Sequence, residues 1–174
     1  MKTDRRQIKA CEIAGQMIGL SEIKGTKHNP EIVKFFAEAG HSWVKDDETA
    51  WCAALMGAVL KRAGLQGTGK LNARSYLEWG NPVDIGSAKA GDVVVFWRGS
   101  RDGWQGHVGF YVATRGANII VRGGNQGNKI SEAAYPASRL LGVRRMTVAD
   151  VQVTPPATSG IIAALVAFIK GLIK

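Results

Sequence analysis

The sequence predicts an α+β fold, with helices in the N-terminal half, an antiparallel sheet in the C-terminal half and a separate amphipathic helix at the end. Two observations carry this prediction. Apolar residues recur at helical spacing as far as Trp79, after which GDVVVFWR, HVGFYVAT and NIIVRGGN form β-branched or aromatic runs separated by Gly, Asp and Asn. Helices first and strands afterwards is the ordering of α+β chains, whose sheets are antiparallel. A length of 174 residues with 45% hydrophobic content supplies one packed core. A single domain is therefore expected over residues 1–150, a linker over 151–160 and a helix over 161–174.

The first helix is predicted from about Asp4 to Gly19, with Ile8, Cys11, Ile13, Met17 and Ile18 on its apolar side and Cys11 as a small core residue. Ser21 to Asn29 reads as a loop, and Pro30 suits the first turn of a second helix that runs through Ile32, Val33, Phe35, Phe36 and Ala39 to Gly40. After the break HSWVKDDE, Thr49 is expected to cap a third helix from Ala50 to about Ala63, stopped by Gly64. A shorter helical piece follows over Ala73 to Trp79, and then the strands begin.

Charge narrows the partners. With 23 Lys and Arg against 14 Asp and Glu, the formal charge of +9 predicts attraction to a polyanion: nucleic acid, an anionic membrane or an anionic cell wall. The basic residues are scattered and lack interleaved aromatics that would stack bases, so nucleic acid is not expected. Two cysteines are too few for a disulfide framework. The N-terminus MKTDRRQIKACEIAG has no apolar run of signal-peptide length, so export by that route is not expected.

Three residues carry candidate chemistry. Cys52 follows the polar loop DDET and precedes the apolar run AALMGAVL, which places it in the first turn of the third helix. Unpaired N–H groups and the helix dipole there favour a thiolate, lowering the pKa from about 8.5. A free cysteine is ordinarily just buried, but this position after a charged loop argues otherwise. His107 opens the strand HVGFYVAT, where the sheet can hold a ring facing a cleft, as a general base requires. His28 and His41 lie in loops and fit a surface role. Asn125 ends the next strand, and a hairpin would return it beside His107, where its amide can orient the imidazole. Gly-Gly-Asn-Gln-Gly is equally a plain turn sequence, and Gln126 is the substitute for that role.

The strings KHNPEI, DDETAWCAALMGAVLKRAGL, KAGDVVVFWR, GHVGFYV and GGNQGN, in that order, resemble the phage-associated branch of the CHAP (cysteine, histidine-dependent amidohydrolase/peptidase) family over about residues 10 to 145. The resemblance implies a papain-like, CHAP-type domain with N-terminal helices packed on the sheet. It also implies cleavage of an amide bond in peptidoglycan, with Cys52 as nucleophile, His107 as base and Asn125 as orienter. A phage endolysin of this kind waits in the host cytoplasm until lysis and then reaches the periplasm and cell wall. Trp51, Trp104 and Gln126 are expected substrate-binding residues. Some relatives bind calcium through an acidic loop; here the acidic residues are Asp46, Asp47 and Glu48, with Asp47 expected to cap the Cys52 helix, and no metal or other cofactor is expected. The protein is expected to be a monomer.

The segment SGIIAALVAFIKGLIK is a second signal. Ile162, Leu165, Phe168, Ile169 and Leu172 fall on a broad apolar face, with Lys170 and Lys174 on a narrow cationic one. At about 1.5 Å per residue such a helix reaches roughly 20 Å, short of a hydrocarbon core of about 30 Å. It is therefore expected to lie on an anionic membrane surface; docking on the catalytic domain is the competing reading. Two rival functions stand beside the hydrolase. A zinc amidase using His28, His41, His107 or Cys52 has no HxxxH, HExxH or CxxC spacing to support it. A non-catalytic phage structural or membrane-perturbing protein has no use for both Cys52 and His107.

Overall fold

The computed structural model describes residues 2–148. Everything expected of the linker and the terminal helix, including Ile162, Leu165, Phe168, Ile169, Lys170, Leu172 and Lys174, lies outside the described residues.

Helix α1 spans Arg5–Gln16 and begins with Asp4, whose side chain accepts the Arg6 N–H. Helix α2 spans Pro30–Glu38 behind Asn29, which accepts from the Glu31 N–H, while proline fills a first-turn position that needs no donor. Gly19 and Gly40, at φ of 95° and 96°, turn the chain after each helix as the sequence predicts. Helix α3, Cys52–Arg62, starts two residues later than expected. Its N-cap is Trp51, with no side-chain cap; Thr49 instead gives its N–H to Asp46, so the polar loop closes on itself before the helix begins.

Every residue from Cys52 to Leu60 is buried, which makes α3 the central helix, packed against α1, α2 and the sheet. Gly57 allows this, since a Cβ there would stand 3.0 Å from the Ala39 Cβ. The expected piece after it is a 3₁₀ helix over Ala73–Glu78.

The sheet has six antiparallel strands in the order β1-β6-β2-β3-β4-β5. The strands are β1 Asn81–Val83, β2 Val93–Trp97, β3 Gly106–Arg115, β4 Asn118–Gly123, β5 Ser131–Pro136 and β6 Leu140–Arg145. Three of these, β2, β3 and β4, are the predicted runs. Alternation divides them between two cores. Val93, Val95, Val108 and Phe110 face the helices, whereas Val94, Phe96, Ile119, Val121 and Val143 form a second cluster on the other face. The sheet curls around that second cluster. Phe96 on β2 and Tyr135 on β5 are separated by three strand spacings, about 14 Å if flat, yet their ring centroids are 5.0 Å apart.

A buried ion pair ties the ends together. Asp92 accepts two bonds from Arg145, at 2.8 and 2.6 Å, beside Gln7 of α1, and the Asp4 N–H bonds the Met146 carbonyl.

Candidate active site

The functional residues converge where the start of α3 meets the start of β3. Cys52 is the first residue of its helix, so its own N–H and those of Ala53 and Ala54 have no partner within the helix. The thiol is 6% exposed, at the wall of a cleft of about 190 Å³ lined by Ala50, Leu71, Asn72, Arg98, Trp104 and Gln105 among others. Burial pushes its pKa up. The Val108 N–H, the Arg98 charge and the N–H groups of Ala53 and Cys52 itself work against burial without reversing it. The lowered pKa expected of a helix start is thus overturned by desolvation, and Cys52 rests as a thiol.

His107 is paired with Phe96 at the β2–β3 junction, where Gly106 permits the approach: a Cβ there would meet the Phe96 carbonyl at 2.9 Å. The ring is fully buried and stacks on Tyr135, with centroids 4.8 Å apart and planes at 10°. Its tautomer follows from its neighbours. The Gln126 Nε2 donates to the Ser131 carbonyl at 2.6 Å and the Val121 carbonyl at 3.2 Å, which leaves Oε1 facing the imidazole. His107 Nε2, 2.9 Å from that oxygen, must therefore carry the proton. On the other side Arg98 Nη2 lies 3.2 Å from Nδ1, and since arginine can only donate, Nδ1 is the accepting nitrogen. Burial, reinforced by the Arg98 charge and opposed by the Gln126 bond, pushes the pKa of His107 down to about 3. Both members of the pair are neutral at rest.

The loop from Arg98 to Gln105 is clamped from the 3₁₀ helix. Arg74 donates to the carbonyls of Gln105, Arg101 and Ser100 at 2.8, 2.8 and 3.0 Å. Arg98 projects from the root of this loop, half-buried in the cleft; burial pushes the pKa of the Tyr135 hydroxyl up, opposed first by a side-chain hydrogen bond from Arg98 and then by its charge.

No family model matches the sequence, and no curated protein matches it. Solved structures do. An NLP/P60-family, lipoprotein-like protein from Staphylococcus aureus superposes with a TM-score of 0.53 at 16% identity, over 84% of this chain and 43% of that one. NlpC1 from Trichomonas vaginalis gives 0.51 at 16% identity, over 83% of this chain and 45% of that one. The P60 domain of an antigen from M. avium subspecies paratuberculosis gives 0.51 at 12% identity, over 82% and 95%. The fold is that of the NlpC/P60 domains. This chain spans less than half the length of the Staphylococcus and Trichomonas proteins.

On this NlpC/P60 fold the expected site residues divide. Cys52 and His107 sit at the same junction, as their places after two loops predict. Gln126, expected as a substrate contact and as a substitute for Asn125, is the residue bonded to the imidazole, and it is buried away from the cleft surface. Asn125 is one residue too early. It holds the left-handed turn conformation, φ 56°, that lets Gln126 point inward. Trp51 is fully buried under the site, donating its indole N–H to Glu22 at 2.7 Å, and so lies below the cleft surface. Trp104 is 75% exposed on the cleft rim.

Asp47 does not cap α3. It is fully buried and accepts from the N–H groups of Ile23 and Asn29 at 2.9 and 2.8 Å, with the His28 Nδ1 at 3.0 Å, pinning the loop before α2. Burial opposes its ionisation, but those bonds outweigh burial and hold the carboxyl below its usual range. Among the described residues, no group of three or more His, Cys, Asp or Glu side chains is placed to hold a metal ion. Arg98 was missed because a basic residue ending a strand reads as surface; its position before a Gly-rich loop that returns to His107 was the available signal.

Proposed function

We propose that the protein is a cysteine-dependent peptidoglycan hydrolase, an amidase or endopeptidase of the endolysin type, with Cys52 as nucleophile, His107 as base and Gln126 as orienter. The observation that carries this is the imidazole held in one tautomer, its Nε2 proton on Gln126 and its Nδ1 facing Arg98, a residue that lines the same cleft as Cys52. In this mechanism the Cys52 thiol passes its proton to Nδ1 and the sulfur adds to a substrate carbonyl. The developing oxyanion is met by the Cys52 N–H at the helix start. His107 then protonates the leaving amine, and water hydrolyses the thioester. The motif resemblance to the phage-associated CHAP branch supports the endolysin reading, with storage in the host cytoplasm and action in the periplasm. The +9 charge favours an anionic wall, and residues 161–174 are proposed to bind an anionic membrane.

The test is turbidity loss of purified peptidoglycan with wild type and Cys52→Ala, followed by mass spectrometry of released fragments. Clearing by wild type alone is expected, and the new termini name the bond. Equal clearing by both proteins would remove Cys52 from the mechanism.

A further inference from the structure

Arg98 holds the nitrogen that the proposed reaction needs. Its Nη2 donates to His107 Nδ1 at 3.2 Å, so the lone pair that would take the Cys52 proton is occupied by a group that cannot accept one. Four other arginines of the described chain, Arg6, Arg62, Arg122 and Arg145, each hold a carboxylate, at 2.9, 2.6, 2.7 and 2.6 Å, while Arg74 is taken up by three backbone carbonyls. Among the described residues no carboxylate pairs with Arg98, which instead lines the cleft beside Cys52 and Trp104. A guanidinium binds a carboxylate through two charge-assisted hydrogen bonds, a stronger and more directional partner than a neutral imidazole nitrogen. Its backbone N–H bonds the Gln105 carbonyl at 3.2 Å, and Arg74 clamps the loop, so only the side chain need move.

We infer that Arg98 is the cleft's receptor for a substrate carboxylate, and that it latches His107 by occupying Nδ1 until such a carboxylate draws it away. The inference rests on the proposed Cys52–His107 reaction and adds its substrate class: amides flanked by a free carboxylate, in preference to their carboxamide counterparts. Arg98 is thus a positioning and specificity residue, and an empty cleft is kept from wasteful thiolate chemistry.

Alkylation of Cys52 in the full chain tests both halves without any wall substrate. Rates with iodoacetate, which carries a carboxylate, and with neutral iodoacetamide are measured at pH 6.5 and assigned to Cys52 rather than Cys11 by peptide mapping. In Arg98→Gln the iodoacetate-to-iodoacetamide ratio should fall about tenfold or more, the effect of removing one charge at short range in a cleft. The iodoacetamide rate itself should rise, because Nδ1 is released to take the thiol proton. Arg98→Lys, checked like the first variant by thermal unfolding, keeps the charge and should keep most of the ratio. An unchanged ratio in Arg98→Gln overturns the receptor. A fall in the iodoacetamide rate overturns the latch, since it would mean that Arg98 only stabilises the thiolate. Wall clearing that survives Cys52→Ala would defeat the Cys52 mechanism while leaving the alkylation result standing.

Discussion

Replacing His107 should change how stability depends on pH, and by an amount the structure fixes. The imidazole is fully buried with a pKa pushed down to about 3, against about 6.5 in the unfolded chain. Above pH 6.5 the ring is neutral in both states and adds no pH dependence. As the pH falls through 6.5, the unfolded chain takes up the proton while the folded chain does not. Stability is then lost at about 1.4 kcal/mol per pH unit, and the loss ends only below about pH 3. Between pH 7.5 and 4.5 this amounts to about 2.7 kcal/mol. In His107→Asn that contribution vanishes, while those of all other titrating groups are common to both proteins. Urea unfolding followed by tryptophan fluorescence at the two pH values measures it. The wild type should lose about 2.7 kcal/mol more than the variant over this interval, whatever the variant's stability at neutral pH. Equal losses would show that the folded protein takes the proton on His107, and would refute the neutral resting pair.

Gln126→Ala should abolish most activity and cost about 1–3 kcal/mol, because the buried carbonyls of Ser131 and Val121 and the His107 Nε2–H lose their partner; Asn125→Gly, which suits the left-handed turn, should leave both activity and melting temperature near wild type. In Gly124→Ala a Cβ would stand 2.3 Å from the Trp51 ring, so a stability loss of about 1–3 kcal/mol is expected by chemical denaturation, with activity falling as the Gln126 loop is displaced. Arg145→Met leaves Asp92 buried without its cation and should cost about 3–5 kcal/mol, read by thermal unfolding.

The helical layer and the central strands were legible because their signals are local. Asn29-Pro30, the apolar spacing of Ile32, Phe35 and Phe36, and the β-branched runs of β2 to β4 need no tertiary partner to be read. Strands β5 and β6 were not. Ser131–Pro136 and Leu140–Arg145 are poor in β-branched residues, and they become strands by pairing with β4 and β2. The start of α3 shifted because Asp46 takes the Thr49 N–H, a competition invisible in a capping pattern. Cys52 and His107 could be picked out by their places after two loops. The exchange of Asn125 for Gln126 turns on which residue of the loop adopts the left-handed conformation, and the Gly-Gly-Asn-Gln-Gly string permits either. Desolvation at Cys52 could not be foreseen, since a helix start says nothing of how deeply it is covered.

The alternation along β3 puts consecutive residues to opposite uses. Val108 packs into the helix-side core and offers its N–H to Cys52, whereas His107 turns into the curled half of the sheet with Phe96 and Tyr135. Strand β3 therefore acts as a party wall, with the Cys52 thiol housed on one side and the His107 ring on the other. Repacking behind Cys52 and repacking behind His107 become separate experiments of evolution. A lineage could retune the His107 imidazole by altering Phe96 or Tyr135 while leaving the housing of the thiol intact, or the reverse.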